Sequence, residues 1–122
     1  MILLDTDTCY AFLSGSRKLL ESWGDSSEDI GIPSPCVQEL YLLANLSSAP
    51  KENRAIIDKF LLTVRVVYPD VSILRYAADV QHHLAARGVP LNLSAADIMI
   101  YSMSRVLKAQ LITSNAQRYR FT

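Results

Sequence analysis

Asp5, Glu39 and Asp97 are carboxylates set among apolar residues. Asp5 ends the run Met1-Ile2-Leu3-Leu4, Glu39 stands inside Val37-Gln38-Glu39-Leu40-Tyr41-Leu42-Leu43, and Asp97 lies within Ala95-Ala96-Asp97-Ile98-Met99-Ile100. Asn115 follows the strand-like run Leu111-Ile112-Thr113. A charge buried without a partner is costly. Two carboxylates about 4 Å apart repel by roughly 4 kcal/mol at an effective dielectric of about 20. A divalent cation relieves both costs, so the first chemistry to consider is a hard-metal centre with oxygen ligands.

Each residue also has a plainer role. Asp5 suits a helix N-cap or a turn after a strand. Asp97 stands three residues after Ser94, as in a capping box with Asp in place of Glu. Asn115 suits a turn. Glu39 resists such a reading: it is too deep in its helix to cap it, and Leu42 and Leu43 are its neighbours one turn on. The four together are more specific than any one. Cys9 and Cys36 match no zinc spacing and read as reduced, buried small residues. His82 and His83 point about 100° apart on a helix and read as exposed or partner-facing. Trp23 reads as a core or interface anchor, and Tyr41-Leu42-Leu43 as core or subunit contact. Arg118-Tyr119-Arg120 is a basic, aromatic tail that suits either phosphate and base contacts or a solvated end.

The elements that position these residues follow from apolar patterning and breakers. The 122 residues suit one domain, 1–122. Ile2-Leu3-Leu4 and Ile30-Gly31-Ile32 read as short strands, as do 64–68 and 110–113. Thr6 or Asp7 caps a first short helix, which Ser14-Gly15-Ser16 breaks. A second short helix covers 17–23, with Gly24 as its stop. Ser34 and Pro35 read as N-cap and first helical residue of a helix to about Leu46. After the turn at 47–50, a helix over 51–62 completes a helical hairpin. Further helices cover 71–87, stopped by Gly88, and 95–107, capped by Ser94. Alternating strands and helices predict a three-layer α/β/α fold with a short, mostly parallel sheet. Asp5 and Asn115 then fall at the carboxyl ends of strands, where such sheets bind ligands.

With 50% apolar residues the chain is not disordered. Twelve acidic residues balance twelve basic ones, so any nucleic-acid contact relies on a local patch, not the net field. No apolar run approaches a membrane span and no signal-peptide pattern opens the chain, which predicts a soluble, cytoplasmic protein.

At these positions the chain resembles the PIN domain family, and more narrowly the VapC-type toxins. The opening Ile2-Leu3-Leu4-Asp5-Thr6-Asp7, the stretch Val37-Gln38-Glu39-Leu40, the segment Leu93-Ser94-Ala95-Ala96-Asp97-Ile98 and the run Leu111-Ile112-Thr113-Ser114-Asn115 look like its four motifs in order. The resemblance implies a Mg²⁺- or Mn²⁺-dependent endoribonuclease, the toxin of a toxin–antitoxin pair. It implies Asp5 and Asp97 as metal ligands and Glu39 as a ligand or as base for the attacking water. Asn115 would offer a neutral carbonyl oxygen, and the Thr6, Thr113 and Ser114 hydroxyls would orient the carboxylates. Arg75, Arg87, Arg105, Lys108, Arg118 and Arg120 are the cations available for RNA phosphates. The resemblance further implies a homodimer and an antitoxin partner, for which the apolar surplus between Val37 and Leu62 is suited.

There are departures. Asp7 stands where Asn is common, and Asn115 stands where many members carry Asp. The chain ends at Thr122, where many relatives continue, which implies a missing last strand or a shortened chain. Two other readings follow from the same residues: a degenerate PIN domain that binds RNA or protein without cutting, and a haloacid dehalogenase-type phosphatase with Asp5 as nucleophile and Asp7 as acid–base partner.

Overall fold

The computed structural model describes residues 1–15, 29–89 and 95–121. Four strands, β1 (Ile2–Leu4), β2 (Ile30–Pro33), β3 (Arg65–Val67) and β4 (Gln110–Ile112), form one parallel sheet in the order β3-β2-β1-β4. The helices are α1 (Thr6–Leu13), α2 (Ser34–Leu46), α3 (Pro50–Leu61), α4 (Val71–Ala86) and α5 (Ala95–Val106), followed by a 3-10 turn, η1 (Ala116–Tyr119). The expected three-layer α/β/α fold is what these elements build, with α2 and α3 as the helical hairpin.

Central β1 is apolar and buried along its whole length, as a parallel strand covered on both faces must be. Side chains alternate across a strand. Leu3 therefore packs with Ile73 of α4 and Met103 of α5. Ile2 and Leu4 join the larger cluster with Cys9, Cys36, Leu40 and Phe60. Edge strands β3 and β4 are only partly buried. Tyr41 donates to Asp58, which ties α2 to α3, and Arg65 pairs with Asp29 beside the sheet.

Two helix starts differ from the sequence-based expectation. Asp5, not Thr6 or Asp7, caps α1, because β1 ends at Leu4 and the helix begins at the next residue but one. Pro33, not Ser34, stands at the cap of α2; β2 runs straight into the helix and Ser34 already forms its first turn. Gly88 ends α4 at φ +72°, as expected of a helix stop. The helix expected over 17–23, with Trp23 and Gly24, and the cap expected at Ser94 lie outside the described residues.

Gly31 has no room for a side chain. A Cβ there would stand 2.7 Å from Val67 Cγ2 and 3.1 Å from both Leu3 Cδ2 and Met1 Sδ. Val67 is stiff at χ1 and belongs to the neighbouring strand, so β2 and β3 would have to part. Gly31→Ala is expected to lower the unfolding free energy by about 1–3 kcal/mol, measured by urea denaturation. Unchanged stability would mean that the sheet does not close as tightly here as described.

Candidate functional site

The carboxyl ends of β1 and β4 are joined where the site begins. The Asp5 backbone N–H donates to the Ile112 carbonyl at 3.4 Å, and the Thr8 hydroxyl donates to the same carbonyl at 3.0 Å. The Asp5 side chain is 1% exposed. Its Oδ1 accepts the Thr8 backbone N–H at 2.9 Å, and its Oδ2 accepts the Tyr119 hydroxyl at 3.2 Å. Asp5 is thus the helix cap its position allowed and a member of the acidic site at once. The positive end of α1 favours a carboxylate there.

Glu39 enters from the second turn of α2 and Asp97 from the first turn of α5. Burial pushes the Glu39 carboxyl above its ordinary value; the Thr6 hydroxyl opposes this and the Asp97 charge adds to it. Burial also raises Asp97, opposed by Arg118 and reinforced by Asp5 and Asp7. The three expected carboxylates therefore share one electrostatic site, joined by Asp7.

Two neighbours were not foreseen in these roles. Tyr119 is 8% exposed and its phenol, pushed far up by burial and then by the Asp5 and Asp97 charges, stays a protonated donor. Arg118 places Nη1 3.1 Å from Asp7 Oδ2 and Nε 4.0 Å from Asp97 Oδ2. Burial works against its charge, and Asp7 and Asp97 more than offset that. The signal was the alternation Arg118-Tyr119-Arg120-Phe121, in which the aromatic residues are buried and Arg120 is exposed.

Other expected residues lie elsewhere or act differently. The Thr113 hydroxyl accepts the Asn115 backbone N–H at 3.0 Å, so it shapes the turn; Ser114 and Asn115 are exposed on it. Arg105 lies eight residues beyond Asp97, roughly 12 Å along the helix axis, and Lys108 lies past the helix end, leading into the amino end of β4. They line a separate pocket with Tyr76 and Ser104 at the opposite edge of the sheet. Arg75, Arg87, His82 and His83 are exposed on or just after α4. Cys9 and Cys36 are buried free thiols, both pushed up by burial, Cys36 to about 12, so they remain protonated.

The donors at this site are oxygens, the kind that hard divalent cations prefer. The Thr6 hydroxyl is buried beside Glu39 and Cys36 and acts on both as a hydrogen-bonding neighbour. No three His, Cys, Asp or Glu side chains among the described residues are gathered at metal-binding distance. The cation that bridges Asp7 and Asp97 is instead the Arg118 guanidinium. As oxygens, the donors at this edge fit a hard divalent cation in kind.

Fold and site together define an α/β protein with an acidic oxygen-donor centre at the carboxyl edge of a parallel sheet. The chain belongs to the PIN domain family, whose model matches residues 2–121. No curated protein matches it. Among solved structures, a chain of DNA-bound VapBC from Salmonella typhimurium superposes with a TM-score of 0.85 at 24% identity, covering 97% of this chain and 89% of that one. A chain of VapBC2 from Rickettsia felis, bound to a DNA fragment from its promoter, gives 0.84 at 23% identity over 99% and 93%. A chain of a toxin–antitoxin complex from Klebsiella pneumoniae gives 0.71 at 16% identity over 98% and 91%. The phosphatase reading falls with this family.

A carboxyl held above its ordinary value in the fold binds its proton more tightly folded than unfolded. The stability it contributes is full below the unfolded values of 4.5 for Glu39 and 3.8 for Asp97, and is lost as pH rises through the raised folded values. Metal-free protein is therefore expected to lose stability as pH climbs out of the acid carboxylate range. Glu39→Gln should flatten that slope in thermal melts taken from about pH 4 to pH 7. A slope identical in the variant would contradict the shared site. Tyr119→Phe, which strips Asp5 of a buried donor, is expected to cost about 1–3 kcal/mol in urea unfolding; a change near zero would remove Tyr119 from the site.

Proposed function

We propose that this chain is a divalent-metal-dependent endoribonuclease acting as the toxin of a VapC-type toxin–antitoxin pair. What supports the reading is that Asp5, Glu39 and Asp97 come from three elements at the carboxyl edge of the sheet and influence one another electrostatically, within a PIN domain. Asp5 and Asp97 hold the metal. Glu39, its carboxyl raised by burial and by Asp97, is poised to take a proton from the attacking water. Thr6 supports the Glu39 carboxylate, and Asn115 offers a neutral oxygen from the exposed turn. A bound Mg²⁺ or Mn²⁺ supplies Lewis acidity at the scissile phosphate. RNA close to the cut is held by Arg120 and by Arg118, which lie on the same turn, rather than by Arg105 and Lys108 at the other edge.

The partner part of the reading has its own support. A groove of about 600 Å³ runs between α1 and the α2–α3 hairpin, lined by Tyr10, Leu13, Leu43, Leu46 and Ile56, with Asp7 at its rim. Tyr10, Leu46 and Ile56 are exposed there. An antitoxin segment seated in it would reach the acidic site through Asp7. Leu62, 86% exposed at the end of the hairpin, suits a homodimer contact. No helix among the described residues is long and apolar enough to cross a membrane, and the reading places the protein in the cytoplasm with its RNA.

The test is incubation of purified protein with total tRNA and ribosomal RNA in Mg²⁺, Mn²⁺ or EDTA. Discrete fragments are expected with metal and not with EDTA. Asp97→Asn, nearly isosteric, should abolish them; Asp5→Ala should too, though it also removes a cap worth about 1 kcal/mol to the fold. Asn115→Asp should keep or raise cleavage and tighten metal binding. RNA bound but uncut with every metal would favour the degenerate PIN domain instead, a reading that the amide at position 115 supports.

A further inference from the structure

We propose that Arg118 is the site's built-in counter-cation, a positioning residue whose guanidinium occupies the acidic cluster at rest and is exchanged for the divalent ion when the site is loaded. The inference rests on the metal reading above and adds a resident competitor to it. Arg118 bridges two carboxylates that come from different helices, Asp7 at 3.1 Å and Asp97 at 4.0 Å. A guanidinium does not lose its charge at any ordinary pH, so it can leave only by moving.

The anchoring of the turn allows that movement. Tyr119 is buried against Asp5, and Phe121 is 3% exposed with its ring edge-on to Tyr101 at 5.1 Å. The backbone on the C-terminal side of Arg118 is thus fixed from within. The Arg118 side chain is 35% exposed and Asp7 50%, so the bridge lies open to solvent on one side. The buried Thr6 hydroxyl lies beside Glu39, which Arg118 and Asp97 also influence. The resting site therefore has its charge only partly compensated, by one guanidinium among several carboxylates. An arginine neutralises carboxylates without satisfying every oxygen that an octahedral ion and its waters would engage. Metal entry is then an exchange of cations, not an addition to an empty acid cluster.

Mn²⁺ binding to the purified full chain, followed by electron paramagnetic resonance of the free ion and by thermal melts, tests this without any RNA. Arg118→Gln is expected to bind Mn²⁺ roughly three- to tenfold tighter than the wild type, a modest factor because partly exposed ion pairs are weak. Its metal-free melting temperature should fall, and the rise on adding Mn²⁺ should grow. Arg118→Lys should return the affinity towards the wild type. Should the Gln variant fail to fold, Arg118→Met keeps the packed stem and repeats the measurement. If the wild type binds Mn²⁺, Asp97→Asn does not, and neither Arg118 variant binds tighter, the exchange is wrong and the metal site stands. If wild type and Arg118 variants all fail to bind Mn²⁺, the metal reading is lost and the exchange with it. Binding by the Arg118 variants alone would be the strongest support, since the resident cation would then be blocking the site.

Discussion

A carboxylate that is 99% shielded from water must find a partner for each oxygen or destabilise the fold. Asp5 finds one in its own helix, the Thr8 N–H, and one more than a hundred residues away, the Tyr119 hydroxyl. Those two bonds join the end of β1, the start of α1 and the turn that closes the described chain. The backbone bond from Asp5 to Ile112 adds the end of β4. The acid at the heart of the site is therefore also the knot that fixes its geometry. That is why its chemistry cannot be separated from its structural role by deletion alone, whereas Asp97, at 18% exposure and held mainly by charge, can be altered with less disturbance.

Around that fixed acid the site is balanced electrostatically rather than packed. Glu39 and Asp97 are both raised by burial and by like charge, and Arg118 lowers both. One cation thus serves several carboxylates. Such an arrangement is stable enough to hold the loop but expensive enough to accept a better cation. A site of fully exposed acids would have no such drive, since water already screens them; one sealed by a buried ion pair would resist exchange, because removing one partner strands the other.

The frame was legible because it is written in local terms. The apolar run 2–4 is too short for a helix, and Gly88 stops α4 at positive φ. Asp5, Glu39 and Asp97 were legible because a carboxylate in an apolar segment demands a reason. What the sequence hid depends on distance through space. Arg118-Tyr119-Arg120 looks like a solvated basic tail until Phe121 is seen to be buried, and then Tyr119 faces inward on the same period. Arg105 and Lys108 stand close to Asp97 along the chain, but the helix carries Arg105 about 12 Å along its axis and Lys108 lies beyond its end, at the other edge of the sheet. Sequence proximity to an acid is thus no guide to sharing its site when a helix separates the two.

The same reasoning bears on the position of Arg118. A basic residue near a nuclease-like centre is naturally assigned to phosphate, because attraction to the substrate is the obvious use for its charge. In the described structure the nearer anions are the protein's own, Asp7 and Asp97, and the guanidinium goes to them. Asp7 is also at the rim of the apolar groove. A segment that filled the groove and brought a cation to Asp7 would compete with Arg118 for the same carboxylate. Groove, bridge and acid cluster are therefore linked through one exposed side chain, Asp7, and a cation brought to it from the groove would loosen the hold on Arg118.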